Sequence, residues 1–97
     1  MDEHGIICDA LRCWGTKHQA IVAIEEMSEL QKELCKHLRG MGDKEHIAEE
    51  VADVEIMLTQ MKEAFGIEHA VSRHRFFKLL RLEKRIEAER ATQHESG

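Results

Sequence analysis

The chain has 97 residues and a net charge of −5, from 14 basic and 19 acidic side chains. This negative balance argues against a general nucleic-acid binder, whose contact surface is basic. There is no proline, aromatic residues make up 4% of the chain, and no apolar run approaches the ~20 residues of a membrane span. With no secretion signal at its start, the chain is expected to be soluble and cytoplasmic, and to bind neither membranes nor nucleic acid.

Apolar periodicity predicts a short N-terminal helix that ends near Trp14, followed by Gly15. Thr16 and Gln19 fit a capping box, in which Thr16 caps the next helix and Gln19 reaches back. The first long helix is expected over residues 17–38.

Two glycines then mark a turn over residues 39–43, and Asp43 suits the N-cap of a second long helix over residues 44–65. Gly66 closes that helix, and a third long helix is expected over residues 68–89. The polar residues 91–97 are expected to fray.

These elements predict an all-α fold: an antiparallel bundle of three main helices plus the short N-terminal helix, forming one domain over residues 1–97. A chain of this length buries only ~60–65% of its unfolded surface, so its core is thin. The third long helix also has a broad apolar side, which includes Val71, Phe76, Phe77, Leu79, Leu80, Leu82 and Ile86. We therefore expect oligomerisation to complete the bundle, as a homodimer or a homotetramer.

Two pairs of acids stand out on the first two long helices. Glu26 and Glu29 are three residues apart, as are Glu50 and Asp53, so each pair lies on one helix face. An antiparallel return would bring the two pairs together, where they would repel one another unless a cation lay among them. Oxygen-only ligands favour a hard ion, Mg²⁺ or Mn²⁺. The alternative is a solvated acidic face, which is common on helices.

The apolar residues of the same helices predict where the acids lie. We expect the acids to flank two buried apolar stripes and so to lie at the margin of the helix contact. Acids in such a position are destabilising unless something compensates their charge. The stripes are Ile24, Met27, Leu30 and Leu34 on one helix, and Ile47, Val51, Val54, Leu58, Met61 and Phe65 on the other.

The pattern Glu25-Glu26-x-x-Glu29 followed by Glu50-x-x-Asp53 resembles the MazG-like all-α nucleoside triphosphate pyrophosphohydrolases, over roughly residues 14–85. The resemblance implies Mg²⁺-dependent hydrolysis of a nucleoside triphosphate between its α and β phosphates, giving the monophosphate and pyrophosphate. It also implies that Glu26, Glu29, Glu50 and Asp53 are the metal ligands. Glu25 joins these four as a candidate catalytic residue. Glu49 is a candidate for orienting a ligand or activating the water, but a solvated surface glutamate is the favoured alternative.

Substrate contacts are implied elsewhere in the chain. The resemblance places basic residues of the last helix against the phosphates, and Lys78, Arg81 and Arg85 form such a stripe, although the family's Lys-Asn pattern is not evident. An exposed basic face paired with neighbouring glutamates is equally compatible. The candidate base-binding residues are Trp14, His18 and Gln19, with a core anchor as the alternative role for Trp14.

Other functions stay open. A non-enzymatic helical dimer that binds a protein partner would need only surface carboxylates, and phosphoribosyl-ATP is an alternative substrate for the same site. A di-iron bundle is disfavoured because no histidine stands three residues after a glutamate. The three cysteines are expected to be reduced, and a zinc site from Cys8, Cys13 and His18 has no strong spacing pattern.

Overall fold

The computed structural model describes the backbone of residues 1–96 and the side chains of residues 1–93. It contains four helices: α1 (Glu3–Trp14), α2 (Thr16–Leu38), α3 (Lys44–Phe65) and α4 (Glu68–Ser96). Within the described residues there is no strand, and no helix has both the length and the apolar character to cross a membrane. The predicted all-α helical bundle is confirmed.

Most helix ends follow the local signals. Asp43 caps α3, since its Oδ1 accepts a hydrogen bond from the backbone N–H of His46 at 3.0 Å. Gly66 ends α3 in the left-handed conformation, with φ of 63°, which a residue with a Cβ rarely adopts.

The capping box predicted at Thr16 is wrong. Thr16 is already helical, the N-cap is Gly15, and no side chain caps this end. Gly15 has φ of 84°, so a single glycine provides the reversal between α1 and α2. The end of α4 also differs, because the helix continues to Ser96 instead of stopping near Glu89.

Helices α2 and α3 form an antiparallel pair, as their cross-contacts show. Gln19, near the start of α2, donates from Nε2 to Oε1 of Gln60, near the end of α3, at 2.8 Å. Further along, Glu26 interacts with Asp53. Helix α1 packs on the pair, with Ile7 buried and in a groove with Ile56 of α3. This arrangement places the central turns of α2 against those of α3.

The side of α2 that faces α3 differs from the predicted stripe. Ala23 and Gln19 are buried, whereas Ile24 is 63% exposed. The seam continues through Glu26 and Leu30, both half-buried. The buried side of α2 is therefore rotated by about one residue relative to the predicted stripe. As a result Glu26, which was predicted at the margin of the contact, lies in the contact itself.

Helix α3 shows the same rotation. Met57 and Gln60 are buried, and Glu50 is half-buried on the same side. Three of its predicted buried residues, seven apart along the helix, are exposed instead: Val51, Leu58 and Phe65. The hydrogen bond between Gln19 and Gln60 pairs two buried amides in the seam. The other residues of the predicted stripe, Ile47, Val54 and Met61, are half-buried.

The internal contacts of the chain divide it into two units, one from Met1 to Gly66 and a second that begins at Ile67. Within the second unit α4 is one long helix. Most of its large apolar side chains are exposed, and Phe76 and Phe77 meet edge to face with ring centroids 5.3 Å apart.

Candidate metal centre

Three carboxylates converge where α2 meets α3. Glu26 comes from α2, and Glu50 and Asp53 come from one turn of α3. One oxygen from each carboxylate lies within 4.8 Å of an oxygen of the other two. Glu26 and Glu50 are half-buried and Asp53 is exposed, so the cluster lies in the seam with one side open to solvent. Water and a ligand can therefore reach it.

The cluster raises the pKa of two of its members. For Glu26, burial is the largest cause, followed by the charge of Asp53, a hydrogen bond with Asp53, and the charges of Glu50 and Glu29. Burial is also the main cause of the raised pKa of Glu50, followed by the charges of Asp53, Glu29 and Glu33. Both shifts have the direction expected when carboxylates are crowded and partly removed from water.

One oxygen of the cluster lacks a partner. Oε2 of Glu50 is buried and accepts no hydrogen bond, and it is the only such side-chain polar atom among those that the structure describes. A buried acceptor left unsatisfied is destabilising. A cation between Glu26, Glu50 and Asp53 would satisfy this oxygen and offset the repulsion. The oxygen-only donor set fits a hard divalent ion such as Mg²⁺.

The fourth predicted ligand, Glu29, is not part of the converging group. Its carboxylate accepts from Nζ of Lys32 at 3.2 Å, and its side chain is 49% exposed. Glu29 still acts on the cluster through its charge, since it raises the pKa of both Glu26 and Glu50. The structure therefore brings together three of the four predicted ligands and leaves the fourth beside them.

Two further glutamates of the prediction lie at the surface. Glu25 on α2 and Glu49 on α3 are both exposed, and Glu49 contributes a smaller charge effect to the raised pKa of Glu50. Glu33, which was not predicted, raises the pKa of Glu50 more than Glu49 does. Its side chain is mostly buried beside Lys36. Its spacing from Glu26 and Glu29, three and then four residues, was the signal that could have identified it.

The three candidate base-binding residues lie together where α1 ends and α2 begins. Trp14 and His18 stack with ring centroids 6.4 Å apart. Nδ1 of His18 lies 2.8 Å from Oε1 of Gln19, whose amide is bonded to Gln60. Trp14 is 57% exposed and is therefore not a core anchor of this chain. Gln60, which completes the group, was not predicted.

The candidate phosphate-binding residues Lys78, Arg81 and Arg85 all lie on α4 and are exposed. The alternative of pairing with neighbouring glutamates is not observed, since no salt bridge involves these residues in the described part of the chain. Their cationic groups remain available on the second unit.

Comparison with protein-family models, with curated proteins and with solved structures finds no match to this chain.

The raised pKa values predict how stability changes with pH in the absence of a divalent cation. Between the ordinary carboxyl pKa and the raised value, the folded chain binds more protons than the unfolded chain. The free energy of unfolding should therefore fall as the pH rises through this window and stay lower at neutral pH. We expect Glu50→Gln to raise the melting temperature at neutral pH in a chelator, with a gain that vanishes at acidic pH.

Thermal unfolding followed by circular dichroism across the pH range measures this. Glu55→Gln is the matched control, because Glu55 is an exposed glutamate of α3 that does not contribute to the shift of Glu50. A loss of stability at neutral pH for Glu50→Gln alone would contradict the assigned repulsion.

Proposed function

We propose that the chain is a Mg²⁺-dependent nucleoside triphosphate pyrophosphohydrolase, which cleaves between the α and β phosphates and releases the monophosphate and pyrophosphate. The observation that carries the proposal is the convergence of Glu26, Glu50 and Asp53, with oxygens within 4.8 Å of one another. The partnerless buried oxygen of Glu50 supports a cation at this position. The motif resemblance supplies the reaction.

The three carboxylates fit Mg²⁺, which prefers oxygen ligands and usually retains several waters. Asp53 is exposed, which leaves room for those waters and for phosphate oxygens. When bound, the ion would neutralise phosphate charge and lower the pKa of a coordinated water. Mn²⁺ prefers the same ligands and can substitute for Mg²⁺.

Other residues of the chain have roles that follow from their chemistry. The carboxylate of Glu29 acts through its charge on Glu26, and a negative charge there favours cation binding at the cluster. Glu25, which is exposed and adjoins Glu26 on α2, is the candidate for orienting a water. The cations of Lys78, Arg81 and Arg85 suit the charge that develops on the leaving pyrophosphate.

The group at the junction of α1 and α2 suits a nucleobase. The Trp14 ring is exposed and available for stacking, and it is already held parallel to His18 within 26°. Gln19 is fixed by its bond to Gln60, so the side chains around the ring are ordered before a ligand arrives.

We also propose that the chain is a homodimer or a homotetramer. Among the described residues only three apolar side chains are buried: Ile7, Ala23 and Met57. That core is small even for a short domain. Val51, Leu58 and Phe65 recur every seven residues on the outer side of α3, which is the spacing of a helix-to-helix contact. We propose that a second copy of the chain packs against this stripe.

A pyrophosphate-release assay tests the reaction. With Mg²⁺ and a panel of canonical and modified nucleoside triphosphates plus phosphoribosyl-ATP, we expect pyrophosphate as the product. Glu50→Gln should lower the rate on the order of 100-fold or more, since one electrostatic group of an active site is worth that much. Glu55→Gln should keep the wild-type rate, because its side chain lies outside the cluster.

Equal rates for wild type and Glu50→Gln would contradict the site assignment. Orthophosphate as the sole product would contradict the reaction class. No turnover of any substrate, together with no effect of Mg²⁺ on melting temperature, would favour the non-enzymatic helical module.

Light scattering tests the assembly. The molar mass measured for the wild type should be at least twice the 11.2 kDa mass of one chain. Leu58→Glu should shift the population towards the monomer, because a charge in a desolvated apolar contact is costly. Met41→Glu, an exposed methionine in the α2–α3 turn, is the control and should not change the mass. A wild-type protein that remains at the chain mass at moderate concentration would contradict the assembly.

A further inference from the structure

A second group of metal-binding side chains lies between α1 and α3. His4 and Cys8 lie one turn apart on α1, and Glu63 lies in the last turns of α3. One donor atom from each lies within 4.8 Å of the other two. His4 is exposed, whereas Cys8 and Glu63 are half-buried. The function proposed above does not use these residues.

We propose that His4, Cys8 and Glu63 form a Zn²⁺ site that joins the N-terminal helix to the end of α3. Sγ of Cys8 lies 3.5 Å from Nε2 of His4 and 3.6 Å from Oε1 of Glu63. Tetrahedral zinc with Zn–S of ~2.3 Å and Zn–N or Zn–O of ~2.0–2.2 Å requires S···N and S···O separations of about 3.5–3.6 Å. Both distances therefore match two edges of a zinc tetrahedron, and the donor atoms of His4 and Glu63 lie within 4.8 Å of each other.

The donor set selects the metal. Thiolate and imidazole favour borderline and soft ions, and they are poor ligands for Mg²⁺. The spacing of His4 and Cys8, four residues apart on one helix, is the spacing with which helical metal sites present two ligands on one face. Three protein ligands leave one tetrahedral position open for water or an exogenous ligand.

The thiol of Cys8 is hydrogen-bonded within this group. The thiol of Cys8 donates to the carboxylate of Glu63, and burial, followed by the charge of Glu63, raises the pKa of the thiol. Zinc binding would replace this proton: the S–H bond breaks, the Zn–S bond forms, and the proton leaves to solvent. The neighbouring charges on α1, Asp9 and Arg12, act on the thiol in opposite directions.

The proposed site is distinct from the carboxylate cluster. Glu63 lies ten residues beyond Asp53 on α3, about 15 Å along a helix that rises ~1.5 Å per residue. The zinc set considered from the sequence, Cys8 with Cys13 and His18, is not brought together among the described residues. The histidine and the carboxylate that join Cys8 come instead from the preceding turn and from another helix.

Cobalt substitution tests the proposal on the full chain under a reductant that does not bind metal. Co²⁺ bound by Cys8 should give thiolate-to-cobalt charge-transfer absorption and the visible bands of a tetrahedral ion, and Zn²⁺ should displace it at one ion per chain. Cys8→Ser should abolish the charge-transfer band. It should also weaken zinc binding in a chelator competition by about tenfold or more, since even outer-shell partners are worth about 10–100-fold.

Cys13→Ser is the matched control, because Cys13 is an exposed cysteine of the same helix outside the group. Asp53→Asn is a second control, since it disables the oxygen-only cluster and should leave the thiolate band intact. Glu63→Gln provides an independent variant if circular dichroism shows that Cys8→Ser does not fold, and it should weaken zinc binding similarly. Absence of a thiolate band in the wild type, or an unchanged zinc affinity in Glu63→Gln, would overturn the proposal.

Discussion

Burial of carboxylates at the contact of α2 and α3, together with their mutual repulsion, is the constraint on which the candidate site depends. Glu26 and Glu50 take positions that apolar side chains would normally occupy, and Asp53 stands at the open side of the same contact. Their arrangement raises the pKa of both glutamates and leaves one oxygen without a partner. Crowded, partly desolvated acids of this kind cost stability, and positions that cost stability without a structural gain are candidates for function.

The rest of the first unit holds these acids in place. The buried amide pair of Gln19 and Gln60 fixes the register of α2 against α3 at one end of the seam. Asp43 caps α3 beyond the other end of the seam. Ordered elements on both sides are what a site needs if its ligands are to be held in position before the metal binds. The fold and the candidate metal centre are therefore products of the same helix contact.

The helices and the carboxylate spacing could be predicted because both are local properties. Glycines and an aspartate mark the turns, and acids three residues apart share a helix face in any context. The face on which each helix packs was predicted less well. Ile24 and Leu58 fit an apolar stripe by periodicity, yet both are exposed, while Gln19 is buried. Periodicity cannot distinguish a stripe that packs within the chain from one that is free to contact another surface, and it does not anticipate two amides that satisfy each other.

The set of carboxylates that converge could be predicted only in part for a related reason. Glu29 has the same spacing as the acids of the cluster, but the choice between joining the cluster and pairing with Lys32 depends on side-chain geometry. The grouping of Cys8 with Glu63 depends on how α1 packs on α3, and the two residues are far apart in the sequence.

The central claim is that Glu26, Glu50 and Asp53 share one divalent cation. Carbon NMR titration of the side-chain carboxyls of Glu26 and Glu50, with and without Mg²⁺, tests it most directly. Raised pKa values in the metal-free protein that fall below the ordinary carboxyl value on addition of Mg²⁺ are the predicted result. Titration curves of Glu26 and Glu50 that do not change on addition of saturating Mg²⁺ would contradict the account.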